Sequence, residues 1–187
     1  NVSIYMGGPE VSYNAKEFLL QNNEVEGIMR GEGEKIFANF VTAVSEENRP
    51  IPNLSNIKGM VYRSASGEII ENELESPLDM SDIPFVYKDL KRFENKIMYY
   101  ETSRGCPFSC SYCLSSIDKK LRFRNLSLVK EELKFFIDNK VAQVKFVDRT
   151  FNCKKDHAIE IWKFIKEHDN GITNFHFEVA ADLMTDE

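Results

Sequence analysis

The run Ser103-Arg104-Gly105-Cys106-Pro107-Phe108-Ser109-Cys110-Ser111-Tyr112-Cys113 holds three of the chain's 4 cysteines in the pattern Cys-x-x-x-Cys-x-x-Cys. Ile97 to Thr102 just before it is β-prone, so the cysteines sit in a loop that leaves a strand. Three thiolates at this spacing can wrap one face of a four-iron cubane cluster, for which thiolates are the usual ligands. One iron is then left open to a substrate or cosubstrate, whereas a fully ligated cluster only passes electrons. Gly105 and Pro107 suit a chain that turns sharply around a bulky inorganic core. A second reading takes zinc. Cys110-x-x-Cys113 has zinc spacing, and Cys153 with His157, four residues apart, completes a tetrahedral set of three thiolates and one imidazole. That reading leaves Cys106 idle, and taken singly Cys153 and His157 read as a buried thiol and a surface histidine.

Beyond the loop, hydrophobic spacing predicts two helices and two more strands. Val129, Leu133, Phe136 and Ile137 mark one helical face, with Ser127 as the expected N-cap. Val141 to Val147 is a strand that ends in Asp148. Ala158, Ile161, Trp162 and Ile165 mark the next helix, which Gly171 closes, and Asn174 to Ala180 is the last strand. The order β-α-β-α-β implies parallel crossovers and about half of a (β/α) barrel. In such folds ligands sit at the carboxyl ends of the strands, which makes Asp148 and Glu178 the candidate secondary site residues. Glu178 shares a strand face with His176, opposite Phe175 and Phe177. A carboxylate there needs a partner, such as a cationic amine or ribose hydroxyls. Arg122 and Arg124 follow the cysteine loop and are placed either to meet a carboxylate ligand or to close salt bridges.

Toward the amino end, residues 1–47 read strand–helix–strand–helix, half of a doubly wound α/β unit. Glycine-rich turns follow both strands, Gly7-Gly8-Pro9-Glu10 and Gly31-Glu32-Gly33-Glu34, where a ligand can approach the backbone closely. Residues 48–57 read as loop, and two β-prone runs around Ser64-Ala65-Ser66-Gly67 read as a hairpin. Residues 73–96 carry Pro77 and Pro84 among charges and read as a linker. The expected organisation is a partial α/β domain with a hairpin over 1–72, a linker over 73–96, and the first part of a barrel over 97–187.

The 187 residues are 42% hydrophobic and 29% charged, an ordinary globular balance. With 24 basic and 30 acidic side chains the net charge is −6, which argues against a general nucleic-acid binder. No apolar run reaches the roughly 18–20 residues of a membrane span. Clustered cysteines in a chain without a visible signal peptide point to the cytoplasm rather than to an extracellular disulfide framework. A first residue other than Met, and no stop chemistry at the end, lead us to expect a fragment of a longer protein.

The cysteine loop, its preceding strand and Tyr112 just before the third cysteine resemble the radical S-adenosylmethionine superfamily. That resemblance implies a [4Fe-4S] cluster on Cys106, Cys110 and Cys113, S-adenosylmethionine on the open iron, and its reductive cleavage to a 5′-deoxyadenosyl radical. It also places Tyr112 beside the adenine. The segment Phe146-Val147-Asp148-Arg149-Thr150-Phe151-Asn152, with the glycine turns upstream, resembles the branch that carries a cobalamin-binding domain and includes the anaerobic magnesium-protoporphyrin monomethyl ester cyclases and radical methyltransferases. There Gly7 and Gly8 face the nucleotide tail of cobalamin, with Gly31 and Gly33 close by. The Asp-x-His-x-x-Gly element of that branch, whose histidine ligates cobalt, is not among these residues. The implied fold is the C-terminal part of a Rossmann-like cobalamin domain followed by the first half of a partial barrel. The implied partners are a small-molecule substrate and a flavodoxin or ferredoxin reductant. A radical methylthiotransferase shares the cluster loop and is the rival reading, together with the zinc module.

Overall fold

The computed structural model describes residues 2–46 and 53–185, so the first part of the expected 48–57 loop lies outside them. The chain divides into two compact units, with the boundary between Leu78 and Asp79.

The first unit is a four-stranded sheet in the order β1 (Ile4–Gly7), β2 (Val25–Met29), β3 (Met60–Arg63), β4 (Ile69–Glu71). β1 and β2 are parallel, and β3 and β4 add on as an antiparallel hairpin. Short α1 (Pro9–Ser12) and α2 (Ala15–Gln21) make the crossover from β1 to β2, and α3 (Gly33–Glu46) follows β2. Val11, Ala15 and Leu19 bury their side chains against Val25, Ile28 and Val61. Ile36 of α3 joins Met29, Met60 and Tyr62 in a second cluster. A sheet covered on both faces explains why β2 is apolar nearly throughout rather than alternating. The Ser64–Gly67 turn closes the hairpin as expected, with Ser64 N donating to Glu68 O at 2.8 Å.

The second unit is built on a three-stranded parallel sheet. β5 (Met98–Tyr100) is followed by a small antiparallel pair, β6 (Ser103–Arg104) and β7 (Arg122–Phe123). Then come α4 (Leu126–Asp138), β8 (Gln143–Phe146), α5 (Lys155–His168) and β9 (Asn174–His176), with sheet order β5-β8-β9. Val129, Leu133 and Phe136 of α4 and Ala158 and Ile161 of α5 bury one face of this sheet through Val144 and Phe146. The register Tyr99↔Lys145↔His176 lines up the opposite face, which no helix of this unit covers among the described residues.

Three expectations differ locally. α4 is capped by Asn125, whose side chain accepts from Ser127 N at 2.8 Å, so Ser127 is the receiving residue and not the cap. β9 stops at His176 instead of running to Ala180, because Asn152 takes hold of the chain: its side chain bonds both Ala180 N and Ala180 O at 2.9 Å, and Phe151 N donates to Glu178 O. Residues 79–96 belong to the second unit. Phe85, Tyr87, Leu90 and Phe93 pack on its core, and the Tyr87 hydroxyl donates to Tyr99 O at 2.6 Å on the outer edge of β5. Aromatics scattered among prolines carry no period, so the composition there resembles a linker although the side chains are core-forming.

Candidate functional site

The cysteine loop springs from the carboxyl end of β5 and returns through β7, and both ends are fixed by buried polar groups. At the entry, Asp148 is 0% exposed, and its carboxylate accepts from Thr102 N at 3.1 Å, Thr102 Oγ1 at 2.7 Å and Ser103 Oγ at 2.5 Å. Burial pushes its pKa above the usual carboxylate value, and the Ser103 and Thr102 hydrogen bonds oppose the rise. At the exit, Arg124 N donates to Thr102 O at 2.8 Å, so the two ends meet. The Arg124 guanidinium spans Glu132 and Met80 O, and Tyr100 donates to the same Glu132 carboxylate at 2.5 Å. Burial followed by Glu132 raises the Tyr100 hydroxyl well above its ordinary pKa. Arg122 is paired with Asp118 at 3.1 Å. Both arginines after the loop therefore close salt bridges. Within the loop, Gly105 has φ +97°, and a Cβ there would lie 2.7 Å from Lys120 O, so only glycine fits this turn.

The three loop cysteines occupy different surroundings. Cys106 is 9% exposed, with its Sγ 3.5 Å from Thr150 Oγ1. Cys110 is exposed, and Cys113 is half-buried. Hydrogen bonds from the Ser115 backbone and hydroxyl hold the Cys113 thiol below its ordinary pKa, with a smaller pull from the Arg149 charge. All four cysteines are free thiols. Tyr112, 91% exposed, stands out from the loop between Cys110 and Cys113.

Among the described residues, no three His, Cys, Asp or Glu side chains gather as a single metal ion would require. The zinc set of Cys110, Cys113, Cys153 and His157 is thus not assembled. His157, expected on the surface, is 3% exposed. Its Nε2 lies 3.4 Å from Thr102 Oγ1 and its ring 5.0 Å from that of Phe123. Burial, with the Lys154 charge, pushes its pKa down to about 4, so it is neutral at pH 7 and belongs to the network behind the loop. Cys153 is half-buried, and burial raises its thiol pKa. A cluster held at three corners has no need of donors converging on one point. Three free thiols on one anchored loop match the ligand chemistry of such a cluster.

Two secondary residues stand differently from expectation. Asp148 offers no accessible oxygen; it is a tether for Thr102 and Ser103. Glu178 lies past the end of β9 rather than within a strand. It is exposed and loosely paired with Lys145 Nζ at 3.4 Å. The sequence reading missed Thr102, Ser103, Glu132 and Thr150, small or common polar residues that carry no motif of their own.

In the first unit, Gly7 at the end of β1, Gly8 just beyond it, and Gly31 and Gly33 after β2 line one open cavity of about 560 Å³, with Met29 and Phe37 among its walls. Gly8 and Gly31 take positive φ, and a Cβ at Gly8, Gly31 or Gly33 would meet nothing within 4 Å. The four glycines form a cradle open to backbone approach, as the tail of a large cofactor would need.

No protein-family model matches the chain. Over 178 residues, 89% of this chain, it is 32% identical to an uncharacterized methyltransferase of Pyrococcus horikoshii, of which it covers 38%. It is 24% identical over 194 residues to an anaerobic magnesium-protoporphyrin IX monomethyl ester cyclase of Rubrivivax gelatinosus, matching 97% of this chain and 34% of that protein. Among solved structures, the cobalamin-dependent S-adenosylmethionine radical enzyme OxsB superposes with a TM-score of 0.71 at 20% identity, over 96% of this chain and 26% of its own. The chain spans between a third and two fifths of the length of these two curated relatives.

Proposed function

We propose that this chain, a relative of the radical S-adenosylmethionine enzymes that carry a cobalamin domain, holds a [4Fe-4S] cluster on Cys106, Cys110 and Cys113 and is part of an enzyme that methylates or oxidatively cyclises a small organic substrate. The observation that carries this reading is the cysteine loop itself: three free thiols on one loop at a strand's carboxyl end, anchored at entry and exit by buried polar networks. When bound and reduced, the cluster supplies the electron that splits S-adenosylmethionine. The chain's own residues bind and orient. The three sulfurs hold the cluster by three corners. Asp148, through Thr102 and Ser103, sets the direction in which the loop leaves β5. Tyr112 offers an aromatic face for the adenine. Glu178, the accessible strand-end carboxylate, is available to the cosubstrate's ammonium in exchange for its loose partner Lys145. The Gly7–Gly8 and Gly31–Gly33 cradle admits the nucleotide tail of cobalamin. A flavodoxin or ferredoxin supplies the electron, and the unpaired thiols fit a reducing compartment, the cytoplasm.

Anaerobic reconstitution with iron and sulfide, followed by metal analysis, tests this reading. About four irons per chain are expected. Cys106→Ala, Cys110→Ala and Cys113→Ala should each lose most of that iron, and Cys153→Ala should keep it. About one zinc per chain, dependent on Cys153, would sink the cluster.

A further inference from the structure

We infer that Thr150, which comes from the exit of β8 and not from the cysteine loop, is a hydrogen-bond donor to Cys106 Sγ and sets the reduction potential of the cluster that Cys106 ligates. The inference rests on the cluster reading above. Thr150 Oγ1 lies 3.5 Å from Cys106 Sγ, and the two residues are 5% and 9% exposed. Between a free thiol and a hydroxyl either atom can donate. A cysteine sulfur bound to iron has lost its proton, so the hydroxyl must then be the donor. The contact is buried, where the low dielectric strengthens it.

The backbone holds Thr150 in this place from both sides. Two residues earlier, Asp148 is tied to Thr102 and Ser103, the approach to Cys106. One residue later, Phe151 is sunk in the core, and Asn152 grips Ala180. Thr150 O also accepts from Cys153 N at 3.1 Å, closing the turn. The hydroxyl is thus delivered to the sulfur by the segment after β8 and not by the cysteine loop itself.

The direction of the effect follows from charge. Reduction adds an electron that is shared onto the sulfurs, so a donor to a sulfur favours the reduced state and raises the potential. Thr150→Val keeps the shape and removes the donor. Thr150→Ser keeps the donor and removes the methyl group.

The test is a redox titration, followed by EPR, of the reconstituted chain and both variants, with iron content measured on each. We expect equal iron in all three proteins, a more negative midpoint potential for Thr150→Val, and a potential near the parent's for Thr150→Ser. At one fixed reductant poise the reduced fraction of Thr150→Val should be several-fold lower. In pulsed EPR, an exchangeable-deuteron coupling to the cluster should be present in the parent and in Thr150→Ser and reduced in Thr150→Val. An unchanged potential in Thr150→Val with full iron would overturn the inference and leave the cluster reading standing. Equal shifts in both variants would assign the effect to packing and overturn it too, as would loss of iron from Thr150→Val alone. Absence of iron from all three would overturn the cluster reading and this inference with it.

Discussion

Glu132→Ala is expected to lower the stability of the second unit by about 3–5 kcal/mol, the cost of stripping a buried charge of its partner. Glu132 is buried on α4, and its two oxygens receive Arg124 Nε at 2.9 Å, Arg124 Nη2 at 2.5 Å and Tyr100 Oη at 2.5 Å. Without it, the Arg124 guanidinium loses its counter-charge and keeps the Met80 carbonyl, and the Tyr100 hydroxyl loses the carboxylate it donates to inside the core. A charge in that position either draws water into the core or pulls β7 away from Thr102, and both loosen the exit of the cysteine loop. Urea denaturation read by far-UV circular dichroism measures the loss. The half-exposed surface pair Lys130–Glu160, 2.8 Å apart, is the comparison: Glu160→Ala should cost far less, because solvent screens that pair. Replacing the buried pair together, by Arg124→Met with Glu132→Leu, should recover much of the stability, since apolar residues of similar volume remove both charges at once. A Glu132→Ala loss no greater than that of Glu160→Ala would show that solvent reaches Arg124 and that the network does not close the loop.

The second large effect falls on Asp148. Asp148→Ala removes the shared acceptor of three buried donors, and each donor left unsatisfied costs roughly 1–3 kcal/mol. Against this runs the cost of burying the carboxylate, visible in its raised pKa, so the sum falls short of three full penalties. The functional consequence is sharper than the loss of stability. Thr102 and Ser103 lose their common anchor, Cys106 is no longer aimed, and iron uptake on reconstitution should fall several-fold although all three cysteines remain. Asp148→Asn keeps the volume and one acceptor oxygen and should lie between the parent and Asp148→Ala. Glu178→Gln, at an exposed carboxylate, should change neither the unfolding midpoint nor the iron content. Full iron in Asp148→Ala would mean that the loop holds its shape without the tether.

These two effects mark where the sequence was legible and where it was not. The order of helices and strands could be read because amphipathic spacing is local: Val129, Leu133 and Phe136 share a face whatever they pack against. The cysteine loop could be read because its spacing is itself the chemistry. The role of Asp148 could not. An acid at the end of a strand is equally placed to face a ligand or to turn inward, and the choice depends on Thr102 and Ser103, some 45 residues away. Glu178 was misplaced for the same kind of reason: the chain leaves the ladder after His176 because the side chain of Asn152 grips Ala180, and no periodicity in residues 174–180 encodes that. Phe85 and Tyr87 were hidden by their proline-rich neighbours. The arginines were the converse case. Their salt bridges with Asp118 and Glu132 lie four and eight residues away, close enough for sequence to suggest pairing.

Everything proposed for the loop turns on whether a cluster held there keeps one iron open. The measurement that bears on it most directly is EPR of the anaerobically reconstituted and reduced chain, recorded with and without S-adenosylmethionine. A cluster held only by Cys106, Cys110 and Cys113 should give a spectrum that changes when S-adenosylmethionine is added, because the cosubstrate ligates the open iron. A reduced cluster whose spectrum is the same with and without it, or a cluster that survives Cys106→Ala unaltered, would contradict a three-cysteine site.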